Sequence, residues 1–221
     1  MSDLRALLAS LAAQADTSAI CDVDKAVRVM SADLRCRSAN PVLCGPAVTV
    51  RCRDDFLGVV QALDAAGPGD VLIVDGGGRA TALAGELFAR AAMARGLAGL
   101  VVDGGYRDLG FIAACELPVY SRVVTPMAGT TQRLGTLNEP VTCGGVTVRP
   151  GDLVIADHDG IVVLDPARAE ACLTAAAALK ATESEVAARL SAGVPLGECV
   201  NLAEHTGRLA RGEPSALRFT T

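Results

Sequence analysis

Two adjacent residues that could bind a metal and an anionic substrate, Arg107 and Asp108, follow an apolar run that predicts a β-strand, Gly99–Val102. A guanidinium can bind a carboxylate in bidentate fashion, and an aspartate beside it can bind a hard divalent cation. The acidic residue Glu86 precedes this pair with twenty residues between them. Glu86 stands at the start of a predicted helix, where free backbone N–H groups attract anions. Together these residue types suit a small 2-oxo acid chelated to magnesium.

A predicted βαβ unit brings these residues to one edge of a sheet. Val71–Val74 and Gly99–Val102 are short apolar strands, and each is followed by Asp-Gly-Gly. Between them, residues 85–95 place apolar side chains at helical spacing. A strand, a helix and a strand with short connections predict parallel strands joined by a right-handed crossover. Ligands of open parallel sheets bind beyond the carboxyl ends of the strands, which is where Glu86 and Arg107 would lie.

The local pattern alone also permits an interpretation without function. The glycines could simply form turns, and Arg107 and Asp108 could form a surface ion pair. Glu86 could do no more than complement the dipole of the helix that it begins. Because each of these elements is common on its own, the pattern by itself favours neither interpretation.

The chain resembles the RraA-like family from about Ile20-Cys21-Asp22 to Asp159-Gly160. The segments that carry the similarity are Gly69-Asp70-Val71 through Asp75-Gly76, Gly85-Glu86-Leu87, and Val102-Asp103-Gly104-Gly105-Tyr106-Arg107-Asp108. The family includes class II 4-hydroxy-4-methyl-2-oxoglutarate aldolases, which also decarboxylate oxaloacetate, and the regulator of ribonuclease E activity A. An acidic residue, twenty intervening residues and then Arg-Asp mark its aldolase branch, and the chain has this spacing.

The resemblance implies an architecture that the sequence pattern reaches only in part. It implies a three-layer α/β fold of the swivelling-domain type, with the parallel βαβ unit in its core. We expect an RraA-like core domain at residues 1–165 and a C-terminal helical extension at residues 166–221. The extension is expected to pack on a neighbouring subunit of a homo-oligomer, either a trimer or a hexamer made as a dimer of trimers.

The resemblance also implies a site and a metal. Arg107, Asp108 and Glu86 are the expected catalytic residues, and Asp108 would bind Mg²⁺ or Mn²⁺ directly. Glu86 would orient metal-bound water, together with a C-terminal glutamate of the adjacent subunit. Glu183 is the best positional match for that glutamate and Glu185 the second, although both could equally be solvated helix charges. The substrate carboxylate is expected on the backbone N–H groups of Gly85, Glu86, Leu87 and Phe88, with Arg107 binding a carboxylate or carbonyl oxygen.

These expectations predict a divalent-metal-dependent lyase that cleaves 4-hydroxy-2-oxo acids to pyruvate and decarboxylates oxaloacetate. A Schiff-base aldolase is less attractive, because Lys25 and Lys180 are the only lysines of the chain. The alternative is a non-catalytic regulator that binds and inhibits a ribonuclease E-type partner. That branch lacks the aspartate after the family arginine, whereas Asp108 is present here. A nucleotide-binding protein is disfavoured, because Asp75-Gly76-Gly77-Gly78 fails the ordered glycine spacings of such proteins.

Two other acidic clusters invite a functional interpretation. Asp54-Asp55 is predicted to begin a helix that ends near Ala66, where paired acids complement the helix dipole. Relatives often carry Asn in place of Asp55, near the bound oxo acid, so an aspartate there puts the exact substrate in doubt. Asp157-His158-Asp159 could be metal ligands, but adjacent residues in a tight turn point in different directions, so a turn is favoured.

Composition excludes several classes of protein. The 221-residue chain has a net charge of −5 and a pI of about 5.1, which argues against nucleic-acid binding. No apolar run is long enough to span a membrane, and the N-terminal stretch is amphipathic rather than typical of a signal peptide. The eight cysteines lack a Cys-x-x-Cys pair, and we expect most of them to be small buried residues in a reducing cytoplasm.

Overall fold

The computed structural model describes residues 2–220, and it describes side chains from residue 5 onward. Within that range the helices are α1 Ser2–Ala12, α2 Thr17–Val23, α3 Leu57–Ala65, α4 Glu86–Ala94, α5 Leu109–Ile112, α6 Pro166–Ser191 and α7 Leu202–Ala210, with a 3-10 turn at Leu196–Glu198. The strands are β1 Arg28–Val29, β2 Arg35–Cys36, β3 Leu43–Arg51, β4 Val71–Asp75, β5 Ala82–Ala84, β6 Gly99–Tyr106, β7 Val119–Val124, β8 Thr136–Leu137, β9 Val141–Cys143, β10 Val146–Val148, β11 Leu153–Ala156 and β12 Ile161–Leu164.

A mixed ten-stranded sheet forms the centre of the fold. Its strands follow the order β1-β12-β11-β3-β4-β6-β7-β2, while β5 pairs with β6 and β8 pairs with β3. Strands β3, β4, β6 and β7 are parallel neighbours. The first half of β3 pairs instead with β11 in antiparallel fashion, so this strand joins the two parts of the sheet.

The predicted βαβ unit is confirmed as β4–α4–β6. The two strands are parallel, and their register places Val71 opposite Gly99 and Asp75 opposite Asp103. Strand β6 is longer than predicted, since it continues past Val102 to Tyr106. The short strand β5 pairs with the extra residues of β6 and supplies their hydrogen-bond partners. The second Asp-Gly-Gly step therefore lies inside a strand rather than after it.

Three buried clusters cover the sheet, in agreement with the predicted α/β class. Helices α3, α4 and α5 pack on one face of the parallel strands. The β9–β10 hairpin packs on the opposite face, through residues such as Val141 and Cys143. Helices α1, α2 and α6 cover β11 and β12. With few aromatic residues, the core consists mainly of Ala, Val, Leu and Ile, so tight packing of small side chains replaces large rings.

The C-terminal extension packs on its own chain. Helix α6 buries Ala169, Leu173 and Ala176 in the cluster that it shares with α1 and α2. The segment that follows Gly212 is tied back by a β-bridge between Val200 and Phe219. That the extension packs on a neighbouring subunit stays a prediction. Neither α6 nor any other helix between residues 2 and 220 has the apolar length of a membrane span.

The predicted start of α3 is wrong. The helix begins at Leu57 instead of Asp54-Asp55, because Asp54 has a φ of 54°. This left-handed conformation cannot continue into a right-handed helix. Asp54 instead accepts a hydrogen bond from the Thr81 hydroxyl and pairs with Arg79, so it connects two loops at the carboxyl edge of the sheet.

The turn predicted at Asp157-His158-Asp159 is confirmed. Both carboxylate oxygens of Asp157 accept hydrogen bonds from Thr17, one from its backbone N–H and one from its hydroxyl. Asp159 accepts a hydrogen bond from the hydroxyl of Ser18. These acids therefore fix the start of α2 against the turn. Among the described residues, no group of three or more His, Cys, Asp or Glu side chains could hold a metal ion.

Candidate active site

The predicted acid and arginine meet at the N-terminus of α4. Asp108 Oδ2 accepts a hydrogen bond of 3.0 Å from the backbone N–H of Glu86 and lies 3.6 Å from Arg107 Nε. Asp108 Oδ1 has no hydrogen-bond partner among the described residues, and the side chain is 41% exposed. The carboxylate is thus oriented through one oxygen, while the other oxygen remains available to a ligand.

The backbone of Asp108 adopts a conformation that few residues tolerate. Its φ is 63° and its ψ is 42°, in the left-handed region, where aspartate is better accommodated than most residues. This turn ends the extended segment that follows β6 and begins α5. Such conformations are costly and tend to persist at functional sites, where the surrounding structure enforces them.

Gly85 permits the close approach of the two segments. A Cβ atom at this position would overlap Asp108 Oδ2 and would lie 2.8 Å from Arg107 Cγ. The carbonyl oxygen of Gly85 accepts a hydrogen bond of 3.0 Å from the buried Tyr106 hydroxyl. Burial raises the pKa of Tyr106 well above its ordinary value, so this phenol remains a neutral donor. Glycine is therefore required here for space and not for an unusual φ.

Arg107 is placed by the strand pairing that precedes it. Its backbone N–H donates to the carbonyl of Ala84 at 3.1 Å, which continues the β5–β6 pairing by one residue. The Arg107 side chain is 39% exposed, and its Nε–H points toward Asp108 at a distance too long for a strong hydrogen bond. The guanidinium thus keeps donors for an external oxyanion.

The predicted row of anion-binding N–H groups is only partly free. The N–H of Glu86 donates to Asp108, and the N–H of Phe88 donates to the Gly85 carbonyl at 3.1 Å. The N–H of Leu87 has no acceptor among the described residues, and the Leu87 residue is 74% exposed. Of the four predicted donors, those of Glu86 and Phe88 are therefore already engaged, and a substrate carboxylate would find the N–H of Leu87 and the guanidinium of Arg107.

Glu86 lies at the first helical position of α4, but its carboxylate is engaged. Arg90 Nε donates to Glu86 Oε1 at 2.8 Å, one helical turn later. The other oxygen of Glu86 has no hydrogen-bond partner in the described part of the chain. This second oxygen of Glu86 is therefore available to a solvent molecule.

Glu183, the predicted contribution of a second subunit, lies on α6 in an ion-pair network of its own chain. Lys180 Nζ lies 2.8 Å from Glu183 Oε2 and 2.8 Å from Asp16 Oδ2. The hydrogen bonds to Asp16 and Glu183 raise the pKa of Lys180 above its ordinary value. The single chain does not bring Glu183 into contact with Asp108, so its role at the metal stays a prediction, as does that of Glu185.

The carboxylate of Asp55 is occupied by hydrogen bonds within the chain. Its two carboxylate oxygens accept hydrogen bonds from the Thr130 hydroxyl and from the backbone N–H groups of Leu57, Gln132 and Arg133. Burial alone would raise the pKa of Asp55, but these four hydrogen bonds outweigh it and lower the pKa to about 2. An ionised aspartate with this many donors is fully occupied, so the difference from the Asn of relatives need not repel a substrate.

Thiol chemistry finds no support at this edge of the sheet. All eight cysteines are free, as their scattered spacing predicts. Burial raises the pKa of Cys44 to about 11 and the pKa of Cys52 to about 12. Thiols with such pKa values remain protonated near neutral pH and are poor nucleophiles.

The donor set suits magnesium better than a metal that needs an all-protein cage. Asp108 and Glu86 offer two partly exposed carboxylates, and the described residues hold no cluster of three or more ligands. Mg²⁺ usually keeps several waters and is bound through one or two carboxylates together with substrate oxygens. Structural zinc, which takes four side-chain ligands, does not fit.

Three residues that support the site were not predicted from the sequence. Tyr106 supports the carbonyl of Gly85, Arg90 binds Glu86, and the ring of Phe111 lies under the Arg90 guanidinium. The spacing of Glu86 and Arg90 is a readable signal for an ion pair across one helical turn. The contribution of Phe111 is not readable from sequence, because it depends on how α5 packs against α4.

The geometry described above defines a class: an α/β protein with an acid–arginine site at the carboxyl edge of its parallel strands. Comparison with known sequences narrows this class. The chain matches the RraA-like family, described as Aldolase/RraA, over residues 17–163. Because the match covers more than half of its length, the chain belongs to the RraA-like family. The predicted resemblance, which rested on residues from about 20 to 160, is confirmed.

Individual relatives point in two functional directions. A protein of Halalkalibacterium halodurans named "Putative 4-hydroxy-4-methyl-2-oxoglutarate aldolase" is 36% identical over 156 residues, which is 70% of this chain and 74% of that protein. The structure of the RNA-processing inhibitor RraA from Thermus thermophilus is 31% identical, with a TM-score of 0.64, and the match covers 68% of this chain and 92% of that one. An uncharacterized protein from Pseudomonas syringae pv. tomato shares the fold at 23% identity, with a TM-score of 0.76 over 89% of this chain and 96% of that one.

Proposed function

We propose that this protein is a divalent-metal-dependent carbon–carbon lyase. Its substrates would be 4-hydroxy-2-oxo acids of the 4-hydroxy-4-methyl-2-oxoglutarate type, cleaved by a retro-aldol reaction that releases pyruvate. The same site would decarboxylate oxaloacetate, because both reactions break a bond whose electrons must be drawn toward a 2-oxo group. Relatives named as aldolases support the general class of activity.

The observation that carries this proposal is the difference between the two carboxylate oxygens of Asp108. The N–H of Glu86 and the guanidinium of Arg107 orient one oxygen of its carboxylate, and no described residue engages the other. The contact between Asp108 and the N–H of Glu86 depends on Gly85, because a Cβ at that position would overlap the carboxylate. The fold therefore holds one oxygen of this carboxylate and leaves the side chain 41% exposed to solvent.

Each residue has a role that its position suggests. Arg107 would bind a carboxylate or carbonyl oxygen of the substrate through its free guanidinium donors. The N–H of Leu87 would donate to the same oxyanion from the positive end of α4. Glu86 would hold, through its free oxygen, the water that accepts the proton of the substrate hydroxyl.

Asp108 would be the direct ligand of Mg²⁺ or Mn²⁺, and Glu86 would contact waters of that ion. When bound, a divalent cation supplies Lewis-acid polarisation of the 2-oxo group. We further propose that the protein forms a homo-oligomer, in which Glu183 of one subunit approaches the site of the next. In that arrangement the carboxylate of Glu183 would contact both Lys180 of its own chain and metal-bound water at the neighbouring site.

The test is pyruvate release from oxaloacetate and from 4-hydroxy-4-methyl-2-oxoglutarate by the purified full-length chain. We expect turnover with Mg²⁺ or Mn²⁺, loss of turnover with EDTA and recovery on adding the metal back. Asp108→Ala should abolish turnover, whereas Glu170→Ala, which removes an exposed acidic side chain from α6, should leave most of it. Turnover that resists EDTA, or that survives Asp108→Ala, would contradict the proposal.

The second candidate function is non-catalytic inhibition of a ribonuclease. The observation in its favour is the structural match to the RNA-processing inhibitor RraA, which covers nearly all of that protein. A pull-down with a purified ribonuclease E-type enzyme, together with an RNA cleavage assay, distinguishes the two. Ribonuclease inhibition by a chain without metal-dependent turnover would favour this function over the lyase.

A further inference from the structure

Arg90 lies between Glu86 and the short helix that follows Asp108. Its Nε lies 2.8 Å from Glu86 Oε1, and its guanidinium carbon lies 4.2 Å from the centre of the Phe111 ring. Phe111 belongs to α5, and its backbone N–H donates to the carbonyl of Asp108 at 3.0 Å. The guanidinium thus bridges the carboxylate of Glu86 and the helical turn that begins at Asp108.

We propose that Arg90 is a positioning residue that fixes the carboxylate of Glu86, with the Phe111 ring as the platform that fixes Arg90. This inference rests on the proposed metal-dependent function. Arg90 touches neither the substrate nor the metal in this scheme. It acts through Glu86, whose second oxygen it leaves free for the waters of the cation.

The contacts constrain Glu86 from both ends. Its backbone N–H is held by Asp108, and its carboxylate is held by Arg90. The planar guanidinium lies over an aromatic ring, which restricts its rotation and gives the ion pair one geometry. An exposed ion pair across one helical turn contributes little to folding, so a change in metal affinity on removing Arg90 would not come from lost stability.

Electrostatics and positioning predict opposite signs for the loss of Arg90. A positive charge near a cation site repels the cation, so removing the charge would strengthen metal binding if charge were all that mattered. If Arg90 holds Glu86 in place, removing it frees the carboxylate to rotate and weakens metal binding. The direction of the change therefore separates the two explanations.

The experiment measures Mn²⁺ affinity from the EPR signal of free Mn²⁺ in titrations of the full-length chain, without any turnover. We expect Arg90→Met to weaken Mn²⁺ binding by about 3- to 10-fold. Mutations of residues that hydrogen-bond to metal ligands usually weaken metal affinity by about 10- to 100-fold, and Arg90 acts on a ligand of metal-bound water, so a smaller effect is expected. Arg90→Lys keeps the charge but lacks the planar guanidinium that lies over Phe111, so it should recover only part of the affinity. In a Glu86→Gln background, Arg90→Met should cause no further weakening.

The control is Arg208→Met, which removes a helical arginine that is also paired one turn away, with Glu204 on α7. It should leave Mn²⁺ affinity unchanged. Circular dichroism checks that each variant folds. If Arg90→Met does not fold, Phe111→Leu removes the platform while keeping the arginine, and it should weaken binding by about twofold, a fraction of an outer-sphere effect.

The outcomes separate this inference from the proposed function. Affinity that is unchanged or higher in Arg90→Met, or a loss that persists in the Glu86→Gln background, overturns the role of Arg90. If Asp108→Ala abolishes Mn²⁺ binding in that case, the proposed site survives and only the inference fails. If the wild-type chain binds no Mn²⁺, or if Asp108→Ala leaves binding intact, both fail together.

Discussion

The carboxyl edge of the parallel strands carries two sets of carboxylates in opposite situations. Asp75 and Asp103 are cross-strand neighbours whose side chains are 3% and 7% exposed. Arg53 Nη1 lies 2.6 Å from Asp75 Oδ1, and Arg122 Nε lies 2.6 Å from Asp103 Oδ1. Asp108 lies at the same edge, but it is far more exposed and one of its oxygens has no partner among the described residues.

This difference shows what separates a structural acid from a candidate ligand. The second oxygen of Asp103 accepts the backbone N–H of Gly144 at 2.7 Å, so this carboxylate also anchors the β9–β10 hairpin. A buried carboxylate that binds an arginine and a backbone N–H has little capacity left for a metal. The two Asp-Gly-Gly steps attract attention in the sequence, yet their acids hold the protein together.

The sharpest test of this comparison replaces Asp108 with Asn. Asparagine tolerates the left-handed backbone and can still accept the N–H of Glu86, so the fold should remain intact. Because an amide is a poor ligand for Mg²⁺, we expect turnover to fall by about 10³-fold or more, which corresponds to several kcal/mol of lost charge stabilisation. A coupled assay for pyruvate measures the loss.

The same variant should unfold in urea at nearly the wild-type midpoint, with a change in stability below about 1 kcal/mol for so exposed a group. A large loss of stability would place Asp108 with the structural acids and would remove the contrast.

The second prediction concerns Gly85→Ala. The added Cβ would overlap the carboxylate of Asp108, so this side chain must move away from the N–H of Glu86. We expect turnover to fall by about 10²-fold, the usual effect of a displacement near 1 Å in a catalytic group. The matched control is Gly110→Ala on α5, where an added Cβ meets nothing within 4 Å. Equal losses in the two variants would contradict a specific role for Gly85.

The third prediction is the mirror image of the first and replaces Asp103 with Asn. The variant leaves Arg122 with the exposed Asp33 as its remaining acidic partner and weakens the anchor of the hairpin. We expect a loss of about 3 kcal/mol in the free energy of unfolding, measured by urea denaturation. If Asp103→Asn is as mild as Asp108→Asn, the distinction between the two sets of acids fails.

The fourth prediction uses pH and has the smallest effect. The pKa of Asp55 is about 2 in the folded chain, below the ordinary value near 4, so the charged form stabilises the fold above about pH 4. This contribution is lost as the pH falls from about 4 through 2. The stability difference between the wild type and Asp55→Asn should therefore shrink over this interval, as urea midpoints measured between pH 2 and 6 would show. A difference that does not depend on pH would contradict the assignment.

Local patterns in the sequence predicted much of the fold and part of the site. The apolar runs at Val71–Val74 and Gly99–Val102, with a helix between them, gave the βαβ unit and placed Arg107-Asp108 at its carboxyl edge. In the structure, the turn at Gly144-Gly145 in the β9–β10 hairpin and the start of α6 at Pro166 also obey local rules on turns and helix starts.

Interpretations of Asp54-Asp55 and of the end of β6 went wrong because they depend on distant segments. Asp55 is held by N–H groups more than seventy residues away, and the last residues of β6 pair with β5. A one-dimensional pattern carries no information about such partners, since backbone groups can be satisfied in more than one way.

The sequence by itself determined which residues could do chemistry, because residue type, spacing and helical or strand periodicity are local properties. Only the tertiary structure decided which acids are free to do it. Asp75, Asp103 and Asp108 all look equally available in the sequence. Arginines and backbone N–H groups from other parts of the chain occupy the carboxylates of Asp75 and Asp103. One oxygen of Asp108, in contrast, has no partner among the described residues and is available to solvent. That outcome depends on hydrogen bonds between segments far apart along the chain.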